Sequence, residues 1–136
     1  MILTDTGPLV ALLDADDRHH QRCFAASKRL PPEPLLTTWP CFTEAIYLLG
    51  TVGGYTYQAN LWRLYTGGRL RLHASSPGEI ERMRNLMETY QDTPMDLADA
   101  SLVAVAESLN LQQIFSLDSH FYIYRLLNGS ILQVVS

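Results

Sequence analysis

The chain has 136 residues, 47% of them apolar and 18% charged. That is enough for one core of ordinary size, too short for two comfortable domains, and too apolar for disorder. Its formal charge is −4 and Lys28 is the only lysine among ten basic residues, which excludes a nucleic-acid binder that works through a bulk basic field. Any polynucleotide must be held by local arginines or by metal ions.

Met1–Thr4 reads as a short strand that stops at Asp5, and residues 7–15 follow as a helix with Pro8 in its first turn, where a missing N–H costs nothing. The apolar start is broken at Asp5 and Pro8 and lacks a positive leader, so it does not read as a signal peptide. Residues 16–30 form a second helix, capped by Asp16 or Asp17, that ends at the proline-rich turn Pro31–Pro34. Leu35–Thr38 is a second strand. A helix runs from about Pro40 to a break at Gly53-Gly54, and another, residues 55–66, closes at Gly67-Gly68.

Residues 69–74 alternate as a strand. Residues 76–91 are amphipathic, with Ile80, Met83, Met87 and Tyr90 on one stripe and Pro77 near the start. Residues 96–109 form a nearly all-apolar helix whose first turn carries Asp96 and Asp99. Residues 113–118 are a short strand, 119–127 an aromatic-rich segment, and 131–135 a final strand after Asn128-Gly129. Short apolar strands alternating with helices predict an α/β layer fold with a mainly parallel sheet, taken as a single domain over residues 1–136. No run is long enough to span a membrane. Cys23 and Cys41 lack zinc or disulfide spacing and read as small buried residues of a reduced cytoplasm, so the chain is expected to be cytoplasmic.

In such sheets ligands bind beyond the carboxyl ends of the strands. Asp5 and Asp118 each end a strand, Asp96 and Asp99 open a helix at the same edge, and Glu44 lies near the start of the helix after Leu35–Thr38. Asp5, Asp96, Asp99 and Asp118 each have an ordinary explanation as a turn or cap residue, with Asp96 read as the N-cap and Asp99 at N3; Glu44 is harder to dismiss, a lone acid in an apolar run of Phe42, Ala45, Ile46 and Leu48. What those explanations leave out is the shared rim. Two carboxylates about 4 Å apart repel by roughly 4 kcal/mol at an effective dielectric of 20, so converging acids need a cation. Oxygen ligands without His or Cys at ligand spacing suit Mg²⁺ or Mn²⁺, and such ions bring water and phosphate together.

Four stretches, ILTDTGPLVALLDADDRHH, TTWPCFTEAIYLL, DLADASLVAVAE and IFSLDSHF, resemble in order the conserved segments of the PIN-domain ribonucleases, and within them the VapC-type toxins of toxin–antitoxin pairs. The resemblance implies a three-layer PIN-like fold, and a metal-dependent endoribonuclease that holds one or two Mg²⁺ or Mn²⁺ ions on Asp5, Glu44, Asp99 and Asp118. It assigns Thr6 and Ser116 to hydrogen bonds with the acids and places Asp96 beside them. Position 120 departs from it: many relatives carry an aspartate there, and here His120 either weakens a second metal site, contacts phosphate or lies on the surface. Asp17 and His20 match a D-x-x-H element, read as helix capping. The resemblance further implies an RNA substrate, a homodimer through the aromatic helices of residues 39–65, and a cognate antitoxin.

Three rivals are weighed against it. A two-component receiver needs adjacent acids after its first strand and a late lysine, and a dehalogenase-like phosphatase needs D-x-D after the first strand; neither pattern is present. A PIN-like scaffold or RNA-binding module without activity is the remaining alternative. No feature reads a 2′-hydroxyl, so RNA rather than DNA rests on the resemblance alone.

Overall fold

The computed structural model describes all residues, Met1–Ser136. Its elements in chain order are β1 (Ile2–Thr4), α1 (Thr6–Leu13), α2 (His20–Arg29), β2 (Leu35–Thr38), α3 (Trp39–Thr66), β3 (Leu70–His73), α4 (Pro77–Thr89), α5 (Leu97–Leu109), β4 (Gln113–Phe115), a 3₁₀ turn (Ser119–Tyr122) and β5 (Gln133–Val135). The five strands form one sheet in the order β3-β2-β1-β4-β5, and every neighbouring pair is parallel. All carboxyl ends therefore lie on one edge.

Alternation along the short strands sorts their side chains to two faces. Leu3 and Ile114, paired in register, join Leu36 against α4 and α5. Phe115 points the other way, to Ala11, Cys23 and Ala26 of α1 and α2, while Leu9, Phe42, Leu49, Leu61 and Leu70 pack α1 and α3 on the same side of the sheet. This is the layered α/β arrangement expected from the sequence. Residues Ala98 to Ala106 of α5 are buried without interruption, as a helix that is apolar all round must be, and its alanines let the neighbouring elements approach closely.

Four expectations shift in detail. α2 starts only at His20, because Asp14 and Asp17 turn the chain first: Asp14 Oδ1 accepts from the Asp16 amide and Asp17 Oδ1 from that of His19. β4 ends at Phe115, and Asp118 lies beyond it as the cap of the 3₁₀ turn. The buried stripe of α4 is Met83 and Leu86, whereas Ile80 and Met87 are exposed. The cause is the capping box of Ser76 and Glu79: Glu79 turns inward to take the Ser76 amide and His73 Nε2, so residues four and seven further on face the core.

The two aromatic helices are one kinked element, α3, broken at Gly54 with φ 64° and ψ −158°, a region that essentially only glycine occupies. Gln58 spans the kink, its Nε2 donating to the Ile46 carbonyl at 3.0 Å. Gly54→Ala is expected to lower stability by roughly 1–3 kcal/mol, whereas Gly78→Ala, in a helix where an added Cβ meets only Ser76 Oγ at 3.9 Å, should not destabilise; urea unfolding of the two variants checks this.

Candidate metal centre

Three carboxylates meet at the carboxyl edge of the sheet. Asp5 follows β1 and is held from both sides: its Oδ1 accepts from the Thr6 amide at 2.7 Å, and its Oδ2 from Ser116 Oγ at 2.8 Å. Ser116 follows β4, and its Oγ also accepts from the Asp118 amide at 2.9 Å. One hydroxyl thus ties the ends of two adjacent strands together and fixes Asp5 relative to Asp118. Asp99 stands at the third position of α5 in a reciprocal capping box, with Asp96 Oδ1 accepting from its amide at 2.9 Å and Asp99 Oδ2 from the Asp96 amide at 3.2 Å. One oxygen from each of Asp5, Asp99 and Asp118 lies within 4.8 Å of the others.

Burial and charge repulsion are visible in the acidities of Asp5 and Asp99. Burial pushes Asp5 from 3.8 to about 6; the Ser116 and Thr6 hydrogen bonds oppose this, and Asp118 and Glu44 add to it. Asp99 is pushed to about 7 by burial and then by Asp96, with Asp5 and Asp118 contributing. Such a trio is an oxygen-only, charge-starved ligand set. It fits a hard divalent cation, which would offset the repulsion that raises both acids.

Beneath the acids lies a floor of buried hydroxyls. Thr38 Oγ1 and Ser101 Oγ are 2.7 Å apart, Ser101 Oγ donates to the Ala98 carbonyl, and Thr37 Oγ1 donates to the Thr4 carbonyl. Cys41 Sγ stands 4.0 Å from Asp5 Oδ1. Burial, with Asp5 next, pushes this thiol up to about 12, so it is a neutral wall of the site and supplies neither a thiolate ligand nor a nucleophile.

The remaining expected residues fall nearby in different ways. Glu44 is exposed on α3 and lies outside the trio, yet it lines the same cleft of about 370 Å³ together with Asp5, Asp96, Asp99 and Asp118. Thr6 holds Asp5 through its backbone amide, while its hydroxyl bonds the Cys41 carbonyl. His120 Nδ1 sits 2.7 Å from Asp118 Oδ1. His20 Nδ1 meets the Ala11 carbonyl at 2.6 Å, away from the acids, whereas Asp17 and His19 reach the cleft wall. Larger hollows of about 500 and 820 Å³ lie elsewhere and gather no converging acids.

Sequence reasoning missed Tyr124, whose hydroxyl stands 3.4 Å from Asp99 Oδ2. Nothing local marks it, because it lies in an aromatic run that reads as core and its partner is 25 residues away.

Similar proteins share this arrangement of elements. The chain is 28% identical to Ribonuclease VapC26 of Mycobacterium tuberculosis over 98% of its own length and 99% of that protein's. Its fold matches M. tuberculosis VapC20, described as a toxin that cleaves the sarcin-ricin loop, with a TM-score of 0.85 at 18% identity over the whole of both chains. It also matches a chain of a toxin–antitoxin complex from Klebsiella pneumoniae, with a TM-score of 0.69 at 18% identity over 100% of this chain and 97% of that one. The five-stranded parallel sheet, the acids at its carboxyl edge and a match to the PIN domain over residues 2–126 agree: this chain belongs to the PIN-domain family.

Proposed function

We propose that this chain is a metal-dependent endoribonuclease acting as the toxin of a toxin–antitoxin pair, with residues 1–136 working as a single domain. The observation that carries the reading is the trio of Asp5, Asp99 and Asp118, drawn from three distant segments to within 4.8 Å, with Asp5 and Asp99 resisting ionisation. Those three would hold Mg²⁺ or Mn²⁺, with Glu44 on the cleft wall as the fourth acid. When bound, such an ion supplies acidity to coordinated water and a counter-charge for phosphoryl oxygens.

The chain's own residues supply the geometry for hydrolysis of a phosphodiester bond. Ser116 keeps Asp5 and Asp118 at a fixed separation, and Asp96 locks the orientation of Asp99. With Cys41 enclosed and neutral, water is the nucleophile this cleft accommodates. The acids that line the cleft would repel RNA without the cation, so substrate binding and metal binding are one event. The RNA substrate and the antitoxin partner are supported by the relatives, a ribonuclease and a toxin–antitoxin complex. A homodimer would use the exposed Tyr47, Val52 and Tyr55 of α3.

The test is incubation of purified protein with a pool of single-stranded and structured RNA in Mn²⁺ or in EDTA. Cutting that requires the ion is the expected result. Absence of cutting together with no Mn²⁺-induced rise in melting temperature would leave only the inactive scaffold.

A further inference from the structure

Asp99 and Asp118 are each gripped by one oxygen. Asp99 Oδ2 faces the Asp96 amide and the Tyr124 hydroxyl, and Asp118 Oδ1 takes both the amide and Nδ1 of His120. Asp99 Oδ1 and Asp118 Oδ2 are left without a protein donor. The two gripping side chains touch one another: the His120 ring stacks on Tyr124 with centroids 6.5 Å apart and planes at 28°. Tyr124 is 2% exposed, is wedged edge-on by Tyr90 and Phe121, and shares its single hydroxyl proton between the Pro94 carbonyl at 3.1 Å and Asp99 Oδ2 at 3.4 Å.

A continuous path thus runs from Asp118 through His120 and Tyr124 to Asp99. It joins the 3₁₀ turn to the start of α5, two segments that Ser116 does not connect. We propose that Tyr124 and His120 form a brace that sets the spacing of Asp99 and Asp118, and so act as positioning residues for the divalent cation. This rests on the metal-site reading above and deepens it, because it assigns His120 to holding a carboxylate. The imidazole spends Nδ1 on Asp118 and one face on Tyr124, which aims the bare Asp118 oxygen rather than adding a ligand. Residues that orient metal ligands in this way typically change metal affinity by roughly 10–100-fold when removed, since a site tolerates only about 0.5 Å of looseness.

The experiment titrates the full chain with MnCl₂ by calorimetry and melts each variant without metal. Tyr124→Phe keeps the ring and removes the hydroxyl; His120→Leu removes the Nδ1 donor from a side chain that is 38% exposed; His120→Asn places an amide N–H where Nδ1 stands. Tyr124→Phe and His120→Leu should each weaken Mn²⁺ binding by roughly 10–100-fold, and His120→Asn should restore most of the affinity. The double variant Tyr124→Phe/His120→Leu should lose less than the product of the single losses, as residues acting through one contact do. Unchanged Mn²⁺ affinity in both single variants, even with lowered melting temperatures, would overturn the brace and leave the metal site intact. Wild-type protein that binds no Mn²⁺ would overturn the metal-site reading and the brace with it.

Discussion

Asp99→Asn is expected to reduce RNA cleavage at least about 100-fold, on the scale of losing one preorganised electrostatic group at a reacting phosphate, while the metal-free protein at pH 8 becomes no less stable than the wild type. The two effects have one cause. Burial, then the charge of Asp96 and lastly those of Asp5 and Asp118, raise the pKa of Asp99 to about 7, so its charge is a cost to the fold unless a cation is present. An asparagine keeps an oxygen for the Asp96 amide and removes the repulsion. Asp96→Asn is the control. Asparagine serves as an N-cap nearly as well as aspartate, and Asp96 acts on Asp99 through its amide and cap, so its loss of activity should be clearly smaller. Equal damage from the two substitutions would place Asp96 among the ion's ligands. Single-turnover cleavage in Mn²⁺ and thermal melts in EDTA measure both halves.

The second large effect is on stability as a function of pH. In the folded chain Asp5 is raised to about 6 and Asp99 to about 7 from an ordinary 3.8. Between those values the native state binds more protons than the unfolded one, so this contribution to stability is fully present below pH 4. It is lost as the pH rises through 6 and 7, at about 1.4 kcal/mol per pH unit for each proton of difference. Metal-free protein should therefore melt at a higher temperature at pH 5 than at pH 8, and the double variant Asp5→Asn/Asp99→Asn should flatten that slope. Mn²⁺ reverses it. At pH 8 an ion at about 100 times its Kd adds roughly 2.7 kcal/mol, and at pH 5 protons compete for the same oxygens, so the gain shrinks. Wild-type and double-variant melts that follow the same pH profile would contradict the linkage.

What was legible in the sequence was what local rules determine. The Asp96–Asp99 box is written in three-residue spacing after a proline, and the edge position of Asp5 follows from a strand meeting a helix in a parallel sheet. Glu44 drew notice as a lone acid in an apolar run. In the fold its neighbours Ala45 and Leu49 point inward and the acid points to solvent at the cleft, so the run was one face of an amphipathic helix start. The α4 stripe was misphased because Glu79, an acid, is buried there to satisfy Ser76 and His73; periodicity alone assigns buried positions to apolar residues. Ser116 is assigned through the family resemblance alone, since the strand reads as running through it to residue 118 whereas β4 ends at Phe115, and Tyr124 is not assigned at all. Its contacts to Pro94 and Asp99 depend on how the 3₁₀ turn folds back over the start of α5, which no spacing in the chain records.

The cysteine beside the site illustrates the same limit. Cys41 reads as a small core residue, and it is fully buried. Only the fold shows that its sulfur closes the inner side of Asp5, where a thiolate would have made a softer site. Held neutral there, it leaves carboxylate oxygens as the available donors, and the preference for a hard ion follows from that packing as much as from the acids themselves.

The most direct test is a crystal of the protein soaked in MnCl₂ and measured for anomalous scattering from the ion. A peak is expected between Asp5, Asp99 and Asp118, with carboxylate oxygens about 2.0–2.2 Å away, near the range of small octahedral divalent ions. A map with no peak among those three residues, or with the ion seated instead on the Asp14–Asp17 turn, would contradict the metal-site reading.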